Sequence, residues 1–260
     1  MRHALATARV ARDASAWVAA VASFAYAAAV AGGVPVLRQD WGAFPFNEPW
    51  RTVLGTGTSG WALGGIGAAR PYPDAYLVSI PIALGTAIAG NYFALLLFVI
   101  ATAALAAFGG RAVAKDAGCG ESGAVAAALF VVFNPWTYTE LVAGHTFMLL
   151  AYAASIWFFR EILRLSPRPV VLTVCALLTA QQLQFFFVCT LALAIVAARK
   201  RLWQPLGIAL VVWLPCAVGI VADRGSLAAI PLLLAWERNQ SVAPFDALQL
   251  NGYFAQYGNA

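Results

Sequence analysis

Long apolar runs separated by short polar breaks organise this chain from its first residues to about position 222. The runs cover residues 14–36, 91–109, 122–133, 146–159, 169–180, 185–198 and 205–221. Each predicts a helix rather than a strand, because the runs are longer than a typical strand and lack strict alternation of apolar and polar positions. Several are shorter than the roughly 17 residues needed to cross a bilayer. Their helices must therefore extend into polar flanks or sit in a thinned, protein-packed site. The stretch 75–89 is ambiguous: Pro81 and Gly85 interrupt it and Gly90-Asn91 closes it. It reads as a re-entrant or interfacial segment.

Composition turns these helices into membrane spans. Hydrophobic residues make up 62% of the 260 positions and charged residues 10%, against roughly 25% charged in an ordinary soluble domain. So few charges cannot wet the surface of a soluble fold. The expected architecture is all-α, a polytopic transmembrane bundle of about seven spans in a single domain, with short helices in its long first loop. The segment 14–36 resembles a signal peptide in its basic lead and its Ala29-Val30-Ala31 triplet, but its apolar run exceeds the roughly 7–15 residues of such a peptide. It reads as an uncleaved first span.

Lys and Arg orient the bundle, since they accumulate in cytoplasmic loops. With 75–89 not crossing, eleven of the sixteen basic residues, Arg111, Lys115, Arg160, Arg164, Arg168 and Arg199 among them, fall on the side of the N-terminus, and five on the other. That side is expected to be the cytoplasm, in a multi-pass protein of the cell membrane. The net charge of +5 then needs no nucleic acid to explain it. Cys119, Cys175, Cys189 and Cys216 show no CxxC spacing and only His3 and His145 are histidines, so neither a disulfide framework nor a zinc centre is supported.

The outer face then receives loop 37–74, the turn 134–145, the corner 181–184 and the tail 222–260. Asp40 follows the first span directly in LRQDWGAFPFNEPW, with Glu48, Arg51, Arg70 and Asp74 further along, among Trp41, Trp50, Trp61 and Tyr72. An interfacial aromatic belt with solvating charges explains this loop as well as a site does. Asp40 stands apart because an acid at the mouth of a span sits where burial and the neighbouring Arg38 can set its ionisation. In FNPWTYTELVAGHTFMLLAY, Asn134-Pro135 breaks a helix and Glu140 and His145 follow. Their spacing of five does not stack them on one helical face, so they converge only if the helix ends or bends at Gly144. Gln181, Gln182 and Gln184 form a polar corner that a hairpin needs anyway, and whose amides also suit a hydroxyl-rich ligand.

This layout resembles the GT-C superfamily of polytopic membrane glycosyltransferases, in particular the arabinofuranosyltransferase-like and related bacterial families, over roughly residues 14–200. The resemblance rests on an acid directly after the first span in QDWGAFPFNEPW, on the Gly- and Pro-rich GWALGGIGAARPYPD, and on FNPWTYTELVAGHTFMLLAYAASIWFFREIL with its Asn-Pro turn, Gly-His pair and basic end. No DxD pair is present, and the tail NGYFAQYGNA follows soon after the seventh span, as in a minimal or incomplete module. The resemblance implies sugar transfer on the outer face from a polyprenyl-phosphate-linked donor. Asp40 would be the general base, and Arg70 or Arg51 would neutralise the departing phosphate. His145 would be a second phosphate or sugar contact, with Glu140 and Gln184 among the substrate-binding groups. Membrane lipids and a partner subunit are the further expected partners. No cofactor is implied; Glu48 and Asp74 are the oxygen ligands available to a divalent cation. Two other readings compete: a transporter with helices broken near Pro81, Pro135 and Pro215, and a non-catalytic membrane subunit.

Overall fold

The computed structural model describes residues 14–25, 28, 61–62, 68–69, 74–143, 146–180, 182–200 and 203–222. These residues are helical apart from the turns between helices and one two-residue antiparallel ladder, β1 (Trp61–Ala62) with β2 (Ala68–Ala69). In the first loop the described backbone is thus this ladder and not a short helix. The helices are α1 (Ala14–Ala25), α2 (Asp74–Ala89), α3 (Asn91–Asp116), α4 (Glu121–Val132), α5 (Pro135–Ala143), α6 (Thr146–Leu163), α7 (Pro169–Thr179), α8 (Leu183–Lys200) and α9 (Trp203–Ala222).

Each apolar run is helical over its described residues, the first over 14–25, and the helices of runs 91–109, 146–159, 185–198 and 205–221 extend beyond their apolar residues. α3 continues seven residues past Gly109 through Arg111 and Lys115 to Asp116, and α6 continues through Arg160 and Glu161 to Leu163. At 26 residues α3 is about 39 Å long. Among the described residues one helix is long and apolar enough to cross a membrane by length and composition, α3 over Phe93–Asp116 at mean hydropathy 2.3; α1, α7 and parts of α8 and α9 are shorter apolar helices.

The helices lie against one another in an alternating sequence. α3 and α4 form a hairpin through Ala117–Gly120, where Gly118 takes a φ of 81° that only glycine adopts without strain. α3 also contacts α6, and α6 in turn contacts α7 and α8, with α9 resting on α7 and α8. α1 begins beside the α3–α4 turn, where its Ser15 meets Arg111 and Glu121. α2 is one continuous helix with Pro81 inside it. It folds back along α3 from Gly90, so that Gly85 faces Ala94. Neither Pro81 nor Gly85 breaks it, and its 16 residues amount to about 24 Å.

Small residues bring the helix axes close. Ala103, Ala106 and Ala107 of α3, Ala124 and Ala128 of α4, and Ala151, Ala153 and Ala154 of α6 are all buried. At the tightest point a Cβ on Gly110 would stand 2.8 Å from the Ala127 carbonyl oxygen, and one on Gly109 would stand 2.9 Å from Trp157 Nε1. The Trp157 indole N–H donates to the Leu105 carbonyl at 2.7 Å, tying α6 to α3 where the glycines admit it. A second cluster fills the space between α6, α7, α8 and α9 around Phe158, Ile162, Leu172, Phe186, Leu193 and Trp213. Trp213 is fully buried there and donates its indole N–H to the Ala176 carbonyl at 3.0 Å.

The outward faces are apolar too. α8 exposes Phe187, Val188, Leu191 and Ile195, α9 exposes Leu210, Val211 and Leu214, and α1 exposes Trp17, Val21 and Phe24. A helix on the surface of a water-soluble protein carries polar residues on that side.

Candidate functional site

Polar chemistry collects at the two ends of the bundle. One end holds the α3–α4 turn, the α6–α7 turn and the start of α9. The other holds the α4–α5 break, α5 and the start of α8.

At the α4–α5 end the chain stops α4 at Val132 and restarts at Pro135. Pro135 occupies the first helical position, where its missing N–H costs nothing. Asn134 caps the new helix: its Oδ1 accepts from the Thr137 N–H at 3.0 Å, while the Asn134 N–H donates back to Thr137 Oγ1 at 3.3 Å, a reciprocal cap of the kind that satisfies two orphan donors. Asn134 Nδ2 donates to the Phe130 carbonyl and the Thr137 hydroxyl donates to that of Val132. The break predicted at Asn134-Pro135 is therefore present, but the following residues form a helix instead of an open turn. α5 carries Glu140, buried at 7% exposure. Its Trp136 ring lies tilted at 56° against Tyr152 of α6, centroids 5.0 Å apart, and meets Phe185 of α8 at 6.2 Å. The helix of Glu140 and the first turn of α8, which includes Gln184, thus share one end. Asp74 is the first residue of α2, at the end of that helix remote from the Gly90 turn, about 24 Å along its axis. Asp40, Glu48, Arg51, Arg70 and His145 lie outside the described residues, as does the tail from 223, so their convergence is not part of this geometry.

The opposite end is a set of ion pairs. Arg160 donates to both oxygens of Asp116, at 2.7 and 3.2 Å, and its guanidinium lies over the Trp157 ring at 5.2 Å. Glu161 is fully buried. It accepts from the Arg168 backbone N–H at 2.6 Å and from the Arg168 guanidinium at 2.9 to 3.3 Å. Arg164 reaches the same carboxylate at 3.7 Å. Between α3 and α4, Lys115 pairs with Glu121, which also accepts from the Ser15 N–H at 2.7 Å; Arg111 Nε donates to Ser15 Oγ at 2.7 Å.

These contacts set the ionisation of the acids just outside the apolar runs. The Lys115 hydrogen bond, helped by Ser15, holds Glu121 down to about 2. Burial alone would push Glu161 up, but the hydrogen bonds and charge of Arg168, with Arg164, outweigh it and leave the carboxyl below its ordinary range. In return Glu161 raises Arg168. Asp116, which Arg160 also lowers, Glu121 and Glu161 are thus held as anions at neutral pH. A cavity of about 670 Å³ opens between α3 and the α6–α7 turn, with Asp116, Arg160, Arg164 and Ser166 on its wall. Among the described residues no group of three or more His, Cys, Asp or Glu stands close enough to hold a metal ion.

No protein-family model, curated protein or solved structure matches this chain.

Sequence reasoning used the basic residues of this end only as markers of sidedness and missed their pairing. For Glu161 the signal was local and legible: Arg164 and Arg168 follow it three and seven residues later, across a Ser-Pro turn. For Asp116 with Arg160 and Ser15 with Glu121, partners lie 44 and 106 residues apart, and only the packing of the helices joins them.

Proposed function

We propose that this chain is a multi-pass protein of the cell membrane, with its ion-paired end in the cytoplasm and a glycosyl-transfer site at the opposite face. The observation that carries the membrane part is the apolar outward side of α1, α8 and α9. In water such faces would cost about 25 cal/mol for each Å² of apolar surface left exposed, whereas lipid tails solvate them. The bundle would then span at residues 14–36, 91–109, 122–133, 146–159, 169–180, 185–198 and 205–221. Arg111, Lys115, Arg160, Arg164, Arg168 and Arg199 would occupy one side, as cytoplasmic residues do.

The glycosyl-transfer part rests on the GT-C-like layout of the sequence, and the capped Asn134-Pro135 turn and buried Glu140 lie at the end this reading requires. Asp40 removes the proton from an acceptor hydroxyl as its oxygen attacks the anomeric carbon. The bond from that carbon to the polyprenyl phosphate breaks, and the lipid phosphate departs as an anion stabilised by Arg70 or Arg51. His145 contacts the phosphate or the sugar. The testing experiment is transfer from labelled polyprenyl-phosphate sugars by purified full-length protein. Asp40→Asn is expected to lower the rate by roughly 10²- to 10⁴-fold with membrane insertion unchanged. Transfer at the wild-type rate removes Asp40 from the mechanism.

A further inference from the structure

We propose that the cavity between the end of α3 and the α6–α7 turn binds a phosphate-bearing anion, and that its source is the headgroup of an anionic phospholipid. The lipid source rests on the membrane reading above; the phosphate chemistry does not.

The cavity's volume of about 670 Å³ lies within the roughly 300–1,000 Å³ of small-molecule sites. Two guanidinium groups border it, and they are differently committed. Arg160 spends Nε and Nη2 on Asp116. Arg164 has an ion pair but no side-chain hydrogen bond among the described residues, because both oxygens of Glu161 are already held by Arg168. It therefore brings a partly exposed positive charge and up to five N–H donors to a wall that also carries the Ser166 hydroxyl. A phosphate accepts from such a fork in two places at once.

The opposing charges are real and set where the anion sits. Asp116 and the C-terminal carbonyls of α3 make the α3 side of the cavity negative, and the C-terminal carbonyls of α6, which ends at Leu163, offset part of the charge of Arg164. Locally three guanidinium groups, Arg160, Arg164 and Arg168, face two carboxylates, Asp116 and Glu161, so the balance is positive and is concentrated at the Arg164–Ser166 side. On that side Leu163 and Leu165 project outward, Leu165 at 92% exposure. Two exposed leucines beside a basic pocket suit a molecule with a charged head and an apolar tail. Basic pockets between helices at the cytoplasmic surface take such headgroups. A free phosphate has no use for the leucines.

The test uses purified full-length protein reconstituted in phosphatidylcholine vesicles with or without a minority of phosphatidylglycerol, with retained lipid counted by native mass spectrometry after mild extraction. Phosphatidylglycerol is expected to be retained over phosphatidylcholine. Arg164→Gln should lower its retention about five-fold, Ser166→Ala should lower it less, and Arg164→Lys should restore part of it. Arg199→Gln, at the same end but away from the cavity, should leave it unchanged. Equal retention of both lipids, or an equal loss with Arg199→Gln, overturns the proposal. Inorganic phosphate is the second probe: if it binds through Arg164 while phosphatidylglycerol is not retained, the lipid source is wrong. Release of the protein from membranes by alkaline carbonate would sink the membrane reading separately, and the phosphate arm would still decide the cavity.

Discussion

Gly110 and Gly85 form a matched pair for testing the close helix packing. Both are inside helices, and replacement by alanine at either position gains roughly 1 kcal/mol of helix propensity. Their surroundings differ. A Cβ at Gly85 would lie 3.8 Å from Ala94 Cβ, an ordinary contact, whereas one at Gly110 would lie 2.8 Å from the Ala127 carbonyl oxygen and 2.8 Å from Val131 Cγ2. Val131 brings both methyls close, Cγ1 at 3.1 Å, and the carbonyl belongs to the backbone of α4 and moves only with the helix. Overpacking of this kind costs about 1–3 kcal/mol, and since the propensity gain cancels between the two variants, that range is the expected difference in stability. Gly110→Ala should unfold earlier than Gly85→Ala in a denaturant titration of the detergent-solubilised protein followed by Trp fluorescence. Equal midpoints, or a more stable Gly110→Ala, would refute the α3–α4 approach.

Two further changes probe buried polar groups. Glu161→Gln should cost about 1–3 kcal/mol through weakened charge-assisted bonds to Arg168. The Glu161 carboxyl is held below its ordinary value of 4.5, so its contribution is present above that pH and is lost as pH falls through the folded value; the wild type should lose stability on acidification more steeply than the Gln variant in melts at stepped pH. The Thr102 hydroxyl is buried without a hydrogen-bond partner among the described residues, so the isosteric Thr102→Val should leave stability equal or raise it by about 1 kcal/mol. A clear loss of stability would show that the hydroxyl is satisfied.

Helix positions were legible because the apolar runs are long and lack the alternation of a strand. Their true ends were less so. Arg111 to Asp116 extend α3 because Lys115 and Asp116 find partners in Glu121 and Arg160, which no run of hydropathy foretells. α5 was read as a turn, although the Asn134, Pro135 and Thr137 spacing that caps it is written in the sequence. Pro81 suggested an interruption in 75–89, yet α2 stays helical around it and lies along α3, with Ile82 buried in the same apolar cluster as Ala94 and Leu95. Of the candidate site, Glu140 is placed on a buried helix face and the elements bearing Glu140 and Gln184 meet through Trp136 and Phe185. The ion pairs of the other end were not legible beyond Glu161, because they depend on which helices become neighbours.

Sidedness is the claim on which the rest depends, and paired cysteine labelling in intact cells tests it most directly. Tyr138 on α5 and Arg164 in the α6–α7 turn are both accessible, at 59% and, for the arginine side chain, 38% exposure. They belong to opposite ends of the bundle. In a background with the native cysteines replaced, a membrane-impermeant maleimide should modify Tyr138→Cys from outside and reach Arg164→Cys only after the membrane is permeabilised. Labelling of Arg164→Cys in intact cells with Tyr138→Cys protected would invert the orientation, and equal labelling of both without permeabilisation would contradict a bundle that crosses the membrane.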